Sequence, residues 1–268
     1  MQRVLVAVAT VGAAILAASS ASAAVNLVTN GSFEINTGNG QLGFDTTATG
    51  WSVANPMTGG SYVFLFDPAA SVSGTSADTS GAVGTYGNVG IWGPDNGSSN
   101  GLKLSPDGGA FISSDPAYQN SAITQVVNGL TAGTKYVLTF NWAGSQQLNH
   151  DGVTTEGWQV SLGGGPSQST SLVSVLDKGF SGWMTQSFTF TADNNSDVLS
   201  FLALGGPGAS QPPFALLDGV SLTAAAVPEP VTWTMMLAGV GFLGAALRQR
   251  REPRPLPAGP LAHRALAG

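Results

Sequence analysis

Alternating apolar and polar positions recur in short runs through the body of the chain. In residues 135–144, KYVLTFNWAG, every second residue from Tyr136 to Trp142 is aromatic or aliphatic, and the positions between them are mostly polar. A repeat of two residues is typical of a β-strand with one buried face. Residues 183–192, WMTQSFTFTA, repeat the pattern, with Phe188 and Phe190 on the predicted inward face.

Further strands are predicted at 121–130, 197–206 and 213–222, and shorter ones at 62–66 and 110–113. Turn-forming Gly, Ser, Asn and Asp residues separate these runs. No ten-residue stretch of the body has the 3.6-residue period of an amphipathic helix. The pattern therefore predicts an all-β fold, a jelly-roll β-sandwich that spans residues 24–226.

The first 23 residues have the pattern of a cleavable signal peptide. Arg3 supplies the positive charge, residues 4–18 are apolar, and Ala21-Ser22-Ala23 is the small-residue pattern that signal peptidase cleaves. We expect cleavage after Ala23 and export of the mature chain across the inner membrane.

A second apolar run lies near the C-terminus, at residues 231–247. It contains no charged residue, and Arg248, Arg250 and Arg251 follow it directly. Seventeen uncharged residues are near the lower limit for a membrane-spanning helix. Arginines favour the cytoplasmic side of such a helix, so we expect the body outside and the C-terminus inside.

Residues 227–251 resemble the PEP-CTERM sorting signal of Gram-negative bacteria. Pro228, Glu229 and Pro230 precede the predicted transmembrane helix and the arginine cluster in the order typical of that signal. The resemblance implies processing by an exosortase-type enzyme, transient membrane anchoring, and delivery to the cell surface or an extracellular polysaccharide and biofilm matrix. The signal usually ends soon after its arginines, whereas here a basic Pro/Ala-rich tail, 252–268, follows and is predicted to be disordered.

The charge of the body is strongly acidic. Residues 25–226 contain three lysines, no arginine and thirteen carboxylates, a net charge of 3 − 13 = −10. Nucleic-acid binding requires clustered Lys and Arg, so a nucleic-acid partner is excluded. Neutral glycans and divalent cations are compatible with this charge, as is a role in solubility alone. The chain has no cysteine, which excludes disulfides, thiol nucleophiles and Cys-based zinc sites.

The body carries a second resemblance, to carbohydrate-binding jelly rolls of the galactose-binding-like class. NLVTNGSFE at 26–34, GW at 50–51, QVVNGLTAGTKYVLTFNWAG at 125–144 and LLDGVSL at 216–222 resemble successive parts of those modules. The resemblance implies a structural calcium ion held by Glu34 and Asp218. Carboxylate oxygens are ligands that Ca²⁺ prefers. The alternative is that both residues are surface acids in turns.

Aromatic residues outside the clear strands are candidates for sugar binding. Tyr86, Trp92 and Trp158 are assigned this role because sugar rings stack on flat aromatic side chains. The alternative for each is packing in the core or anchoring of a loop.

A catalytic site is not indicated. His150 is the only histidine of the body and lies in a polar sequence without a nucleophile motif, and Asp151 and Glu156 are carboxylates without a fixed spacing. The sequence therefore predicts an exported, non-enzymatic protein that binds polysaccharide. The alternatives are a structural matrix or adhesion protein without a ligand site and a glycan-active enzyme.

Overall fold

The computed structural model describes residues 24–54, 61–68, 81–207, 211–226, 237–244 and 248. The described residues form strands joined by turns, one short 3-10 helix at Pro94–Asn96 and one helical segment at 237–244. The strands are β1 Gly40–Gln41, β2 Ser52–Val53, β3 Val63–Phe66, β4 Phe111–Ser114, β5 Ile123–Asn128, β6 Lys135–Gln146, β7 Thr154–Leu162, β8 Gln168–Ser169, β9 Val173–Val175, β10 Met184–Thr191, β11 Ser196–Gly206 and β12 Pro213–Ala224.

The strands form two antiparallel sheets. The first sheet has the order β1-β3-β4-β12-β6-β10, and the second has the order β2-β5-β11-β7-β8, with β9 also paired to β7. Neighbours in each sheet are mostly distant in sequence, as in a jelly roll. The predicted all-β jelly-roll sandwich is therefore confirmed.

The predicted alternation is confirmed in the strands that carried it. Tyr136, Leu138, Phe140 and Trp142 of β6 are all buried between the sheets. Phe188 and Phe190 of β10 are buried as well, while Thr189 and Thr191 are exposed. These two strands pair in register, with Phe188 opposite Leu138.

Large aromatic side chains fill the space between the two sheets. Phe201 of β11 lies at the centre, with its ring centroid 5.2 Å from that of Phe140 and 6.1 Å from that of Trp158. Both contacts are edge-on, an arrangement that aromatic quadrupoles favour. This cluster joins β6 of the first sheet to β7 and β11 of the second.

The outer face of the first sheet is also apolar. Phe64, Phe66, Phe111, Phe214 and Leu216 form a second buried cluster there. Residues from the segment 82–104 cover it, namely Ala82, Val89, Ile91, Leu102 and Leu104. Burial on both faces explains why 62–66 and 213–217 are continuously apolar and not alternating.

The long strand β7 was not predicted, and neither were the short strands β1, β2, β8 and β9. The sequence predicts no strand at Glu156 and Trp158, but both lie in β7, a central strand of the second sheet. Trp158 is 0 % exposed, and its Nε1–H donates a hydrogen bond to the Leu216 carbonyl oxygen at 3.0 Å. Its assignment as a sugar-stacking residue is corrected to a packing role, because no face of its ring is open to a ligand.

The C-terminal part of the chain forms its own unit, Ala226–Gly268. Its described helical segment, 237–244, lies inside the predicted transmembrane span 231–247. Across the part of the chain that the structure describes, no helix has both the length and the apolar character needed to cross a membrane. The predicted signal peptide 1–23, the motif Pro228–Pro230 and the tail 252–268 lie outside the described residues.

A carboxyl group is buried between the sheets at Glu156. Among the described residues, the Thr154 hydroxyl alone acts against the effect of its burial, and Oε2 lies 2.7 Å from the position that a Cβ would take at Gly144. Burial raises the pKa of Glu156 from 4.5 to about 8. The carboxyl group is therefore protonated when the protein is folded at neutral pH.

Replacing Glu156 by Gln tests this protonation. The folded state holds a proton that the unfolded chain releases above pH 4.5, so the stabilising effect of the proton is complete below that pH. It is lost progressively as the pH rises towards about 8. We expect the melting temperature of Glu156→Gln to fall less than that of the wild type between pH 5 and 9, as measured by circular dichroism.

Asp151→Asn is the matched control, because the Asp151 side chain is mostly exposed. It should follow the wild-type pH dependence. If the melting temperatures of Glu156→Gln and the wild type fall equally between pH 5 and 9, Glu156 is ionised in the folded protein.

Candidate functional site

A cavity lined by three tyrosines lies where the ends of several strands meet. It has a volume of about 230 Å³, and its lining residues come from just before β3, from the segment before β4, from the loop after β4, from the chain after β6, and from just before β12. We call it the tyrosine pocket; it is lined by Tyr62, Tyr86, Asp115, Tyr118, Gln147, His150 and Pro212.

The loop after β4 is fastened to the beginning of β3. The Asp115 N–H donates to the Tyr62 carbonyl oxygen, and the Tyr62 N–H donates to the Gln119 carbonyl oxygen, both at 3.1 Å. Inside the loop, Asp115 Oδ1 accepts the N–H groups of Ala117 at 2.7 Å and Tyr118 at 3.1 Å. These four bonds hold the backbone of the loop that carries Tyr118.

The three tyrosine rings are set at steep angles to one another. Tyr118 meets Tyr62 edge-on, with ring centroids 5.1 Å apart and an interplanar angle of 85°. Tyr86 meets Tyr118 with centroids 6.2 Å apart at 67°. The exposed fraction rises from 8 % at Tyr62 through 36 % at Tyr118 to 61 % at Tyr86. Tyr62 therefore lies at the floor of the pocket and Tyr86 at its rim.

Asp115 lies at the floor beside Tyr62. The residue is fully buried, and its Oδ2 atom has no hydrogen-bond partner among the described residues. Burial raises the pKa of Asp115 to about 7, and the N–H bonds from Ala117 and Tyr118 act against this rise. An unpaired buried carboxyl oxygen is costly, and a hydroxyl donor from a ligand would satisfy it.

Gln147 and His150 line another side of the pocket, and Trp92 supports His150 through a hydrogen bond. The Trp92 Nε1–H donates to the His150 carbonyl oxygen at 2.5 Å, and Lys178 Nζ lies 5.0 Å from the centre of the Trp92 ring. In the wall itself, Gln147 Nε2 donates to the Tyr62 hydroxyl at 3.4 Å. Trp92 is half-buried and supports His150, whereas Tyr86 lines the pocket directly.

A second cluster brings together the two predicted calcium ligands. Asp218 of β12 is fully buried, its Oδ2 accepts a short hydrogen bond from the Ser105 hydroxyl, and its Oδ1 has no partner among the described residues. Burial, with a smaller contribution from the charges of Asp107 and Glu34, raises the pKa of Asp218 to about 8 against the opposing hydrogen bonds from Ser105 and the Gly219 N–H. We call Glu34, Asp107 and Asp218 the acid cluster.

Glu34 approaches the acid cluster from the N-terminal segment. Its Oε1 accepts the Ala110 N–H at 2.7 Å, and burial together with the charges of Asp67 and Asp107 raises its pKa. Carboxylates that repel one another around an unpaired oxygen fit a cation with oxygen ligands. Within the described residues, however, no three acidic or histidine side chains are placed to hold a metal ion. A calcium ion would therefore need hydroxyl or carbonyl oxygens in addition.

Asp151 and Glu156, the two carboxylates considered for a glycan-active enzyme, do not lie in a common site. Asp151 is exposed and lies 3.8 Å from Lys178 Nζ, whereas Glu156 is buried in the core. Among the described residues that line the tyrosine pocket, Asp115 is the single carboxylate. Glycosidases generally use two carboxyl groups that flank the scissile bond.

Comparison with known proteins identifies the C-terminal motif. Residues 226–251 match the family model described as the PEP-CTERM protein-sorting motif. This confirms the resemblance found in Pro228, Glu229 and Pro230, and it implies that the chain is exported and sorted to the surface. No curated protein matches the chain.

Among solved structures, the chain is similar to carbohydrate-binding modules. TmCBM61 in complex with β-1,4-galactotriose is 18% identical, covering 75% of this chain and 99% of that one, with a TM-score of 0.39. The CBM22-1 xylan-binding domain of Paenibacillus barcinonensis Xyn10C is 10% identical over 78% and 100%, with a TM-score of 0.34. The N-terminal cellulose-binding domain of Cellulomonas fimi β-1,4-glucanase C is 19% identical over 51% and 93%, with a TM-score of 0.28. Likenesses this distant carry no argument about the ligand of this chain.

Of the residues that line the tyrosine pocket, the sequence analysis named only Tyr86 as a candidate for sugar binding. Tyr62 and Tyr118 were not singled out, and Asp115 reads as an ordinary turn residue in SSDPAYQ. His150 was weighed only as a catalytic base. These residues are far apart in the sequence, and only the strand order brings them together.

Proposed function

We propose that this protein is an exported polysaccharide-binding protein whose ligand enters the tyrosine pocket. A sugar ring has apolar C–H faces, which pack on aromatic rings, and hydroxyl groups, which donate hydrogen bonds. The pocket has partners both for the C–H faces and for the hydroxyl groups. Tyr86 and Tyr118 present ring surface, and Asp115 and Gln147 supply polar atoms.

The observation that carries this proposal is the buried, unpaired Oδ2 atom of Asp115 at the floor of an aromatic-walled cavity. Native proteins leave few such atoms without a partner, and those that remain need an explanation. A ligand hydroxyl supplies one. The loop that carries Asp115 is already held by four hydrogen bonds, so little ordering is required on binding.

The sorting motif supports a proposal about where the protein acts in the cell. We propose that an exosortase-type enzyme of a Gram-negative bacterium recognises residues 226–251, after transient membrane anchoring through 231–247. Signal-peptide cleavage after Ala23 would precede this step. The protein would then bind polysaccharide at the cell surface or in the extracellular matrix, with no catalytic role.

We further propose that the acid cluster holds a structural calcium ion. Glu34 comes from the N-terminal segment and Asp218 from the last strand, so an ion between them would fasten the two ends of the sandwich together. Asp218 Oδ1 is free to become a ligand once its proton has left. A cation would offset the mutual repulsion of Glu34, Asp107 and Asp218.

Replacing Tyr86 by Ala tests the pocket as the ligand site. Tyr86 is 61 % exposed, so its loss should leave the fold intact and remove ring surface from the rim. We expect about tenfold weaker binding, equivalent to about 1.4 kcal/mol, in affinity electrophoresis through gels containing neutral polysaccharides.

Phe44→Ala is the matched control, because Phe44 is also an exposed aromatic residue, 48 % exposed, and does not line the pocket. It should be retarded like the wild type. Equal retardation of Tyr86→Ala would place the ligand elsewhere. If folded wild-type protein is not retarded by any gel, the structural matrix role is favoured instead.

Calcium binding should be linked to proton release. Because the pKa of Asp218 is about 8, its carboxyl group is protonated at pH 7 and must lose the proton to become a ligand. We expect calcium to raise the melting temperature and to release protons, measured by calorimetry in buffers of different ionisation enthalpy. The stabilisation should be about 2.7 kcal/mol at a calcium concentration about 100 times Kd.

Asp218→Asn should abolish both effects, and the exposed Asp45→Asn should abolish neither. A melting curve of the wild type that is identical in calcium and in chelator would contradict the proposed ion.

A further inference from the structure

We propose that the tyrosine pocket binds one neutral sugar ring at the end of a polysaccharide chain, and not a segment within the chain. This inference rests on the proposed function and specifies its ligand. It follows from the size of the pocket, the angles between its rings, the covered face of the first sheet and the charge of the lining.

The size of the pocket favours a single ring. Its volume of about 230 Å³ lies below the range of about 300–1,000 Å³ that is common for small-molecule sites. A cavity of this size matches one sugar ring better than several consecutive rings. One ring can occupy the pocket while the remainder of the chain extends past the exposed Tyr86 into solvent.

The tyrosine rings enclose a ligand and do not form a continuous platform. Successive sugars of an extended chain need aromatic faces arranged along one surface. Here Tyr62 and Tyr118 meet at 85°, and Tyr118 and Tyr86 meet at 67°. Rings at such angles make the floor and adjoining walls of one compartment, and a sugar ring held there contacts more than one of them.

The strands β3, β4 and β12 of the first sheet do not themselves present an exposed face to an extended chain. Its outer surface over β3, β4 and β12 is buried beneath Ala82, Val89, Ile91 and Leu102, with Phe180 and Trp183 packed against the same cluster. An extended polysaccharide therefore cannot lie across these strands. The tyrosine pocket is situated at the end of that covered surface, where the strands stop.

The charge of the lining favours a neutral sugar. Asp115 is the single carboxylate among the described lining residues, and no lysine or arginine is among them. A uronic acid or sulfated sugar would bring its negative charge into a pocket whose described lining offers no lysine or arginine to offset it. Neutral hydroxyls instead donate to Asp115 and accept from the Gln147 amide.

The floor of the pocket is closed before a ligand enters. Asp115 Oδ2 is buried, so a ring must shift slightly for a hydroxyl to reach it. Tyr118 is the ring best suited to this movement, because it is partly exposed while Tyr62 is buried. Side-chain rearrangements of this size are common when ligands bind.

The test is a length series measured on the purified wild-type protein by calorimetry. The probes are neutral oligosaccharides of one to six residues, built from glucose, galactose, mannose or xylose, together with charged uronic-acid oligomers. Each series is also prepared with its reducing end converted to the alditol. In the series that binds, we expect Kd per chain to change less than about threefold from the disaccharide to the hexasaccharide.

The alditol probes identify which end is bound. Retained affinity assigns the non-reducing end to the pocket, and lost affinity assigns the reducing end; both outcomes support a chain-end site. Tyr118→Ala and Asp115→Asn should each weaken binding about tenfold or more. The exposed variants Phe44→Ala and Asp45→Asn should not.

Two outcomes would overturn the inference in different ways. An affinity that increases steadily from the disaccharide to the hexasaccharide would show internal-chain binding and leave polysaccharide binding itself standing. Preference for uronic-acid oligomers would overturn the neutral specificity. Absence of binding to every oligosaccharide and polysaccharide, by folded protein, would overturn the proposed function together with this inference.

Discussion

The apolar outer face of the first sheet is the feature on which the rest of the arrangement depends. Phe64, Phe66 and Phe214 project away from the sandwich core and would be exposed without a cover. Burying a large aromatic side chain contributes about 1.5–3 kcal/mol, so leaving several in water would be costly. The segment that covers them also carries Tyr86 and Trp92 to the strand ends. The packing of the second cluster thus determines where the tyrosine pocket is formed.

Three buried carboxyl groups differ in how their burial is compensated. Glu156 has only the Thr154 hydroxyl to offset its burial and is held as a neutral acid. Asp218 has one hydroxyl partner and lies near other acids, an environment suited to a cation. Asp115 uses one oxygen to fix its own loop and leaves the other unpaired beside a cavity. The same side-chain chemistry therefore meets a different environment in each of the three places.

The strands with one buried face were predictable from the sequence, because β6 and β10 alternate without interruption. β7 was not, since Glu156 and Gly157 break its apolar pattern and conceal the inward position of Trp158. A calcium site at Glu34 and Asp218 was implied only by a family resemblance and stays a prediction. The tyrosine pocket was not anticipated, because Tyr62, Tyr86 and Tyr118 come from separate segments. Their meeting depends on strand order, which local patterns do not encode.

The most direct measurement is binding of the purified protein to a glycan array, in calcium and in chelator, beside the Tyr118→Ala variant. We expect reproducible binding to one class of neutral polysaccharide by the wild type and its loss in the variant. Binding that is equally strong in the variant would contradict the tyrosine pocket as the site. Absence of binding by folded wild-type protein in both conditions would contradict carbohydrate recognition altogether.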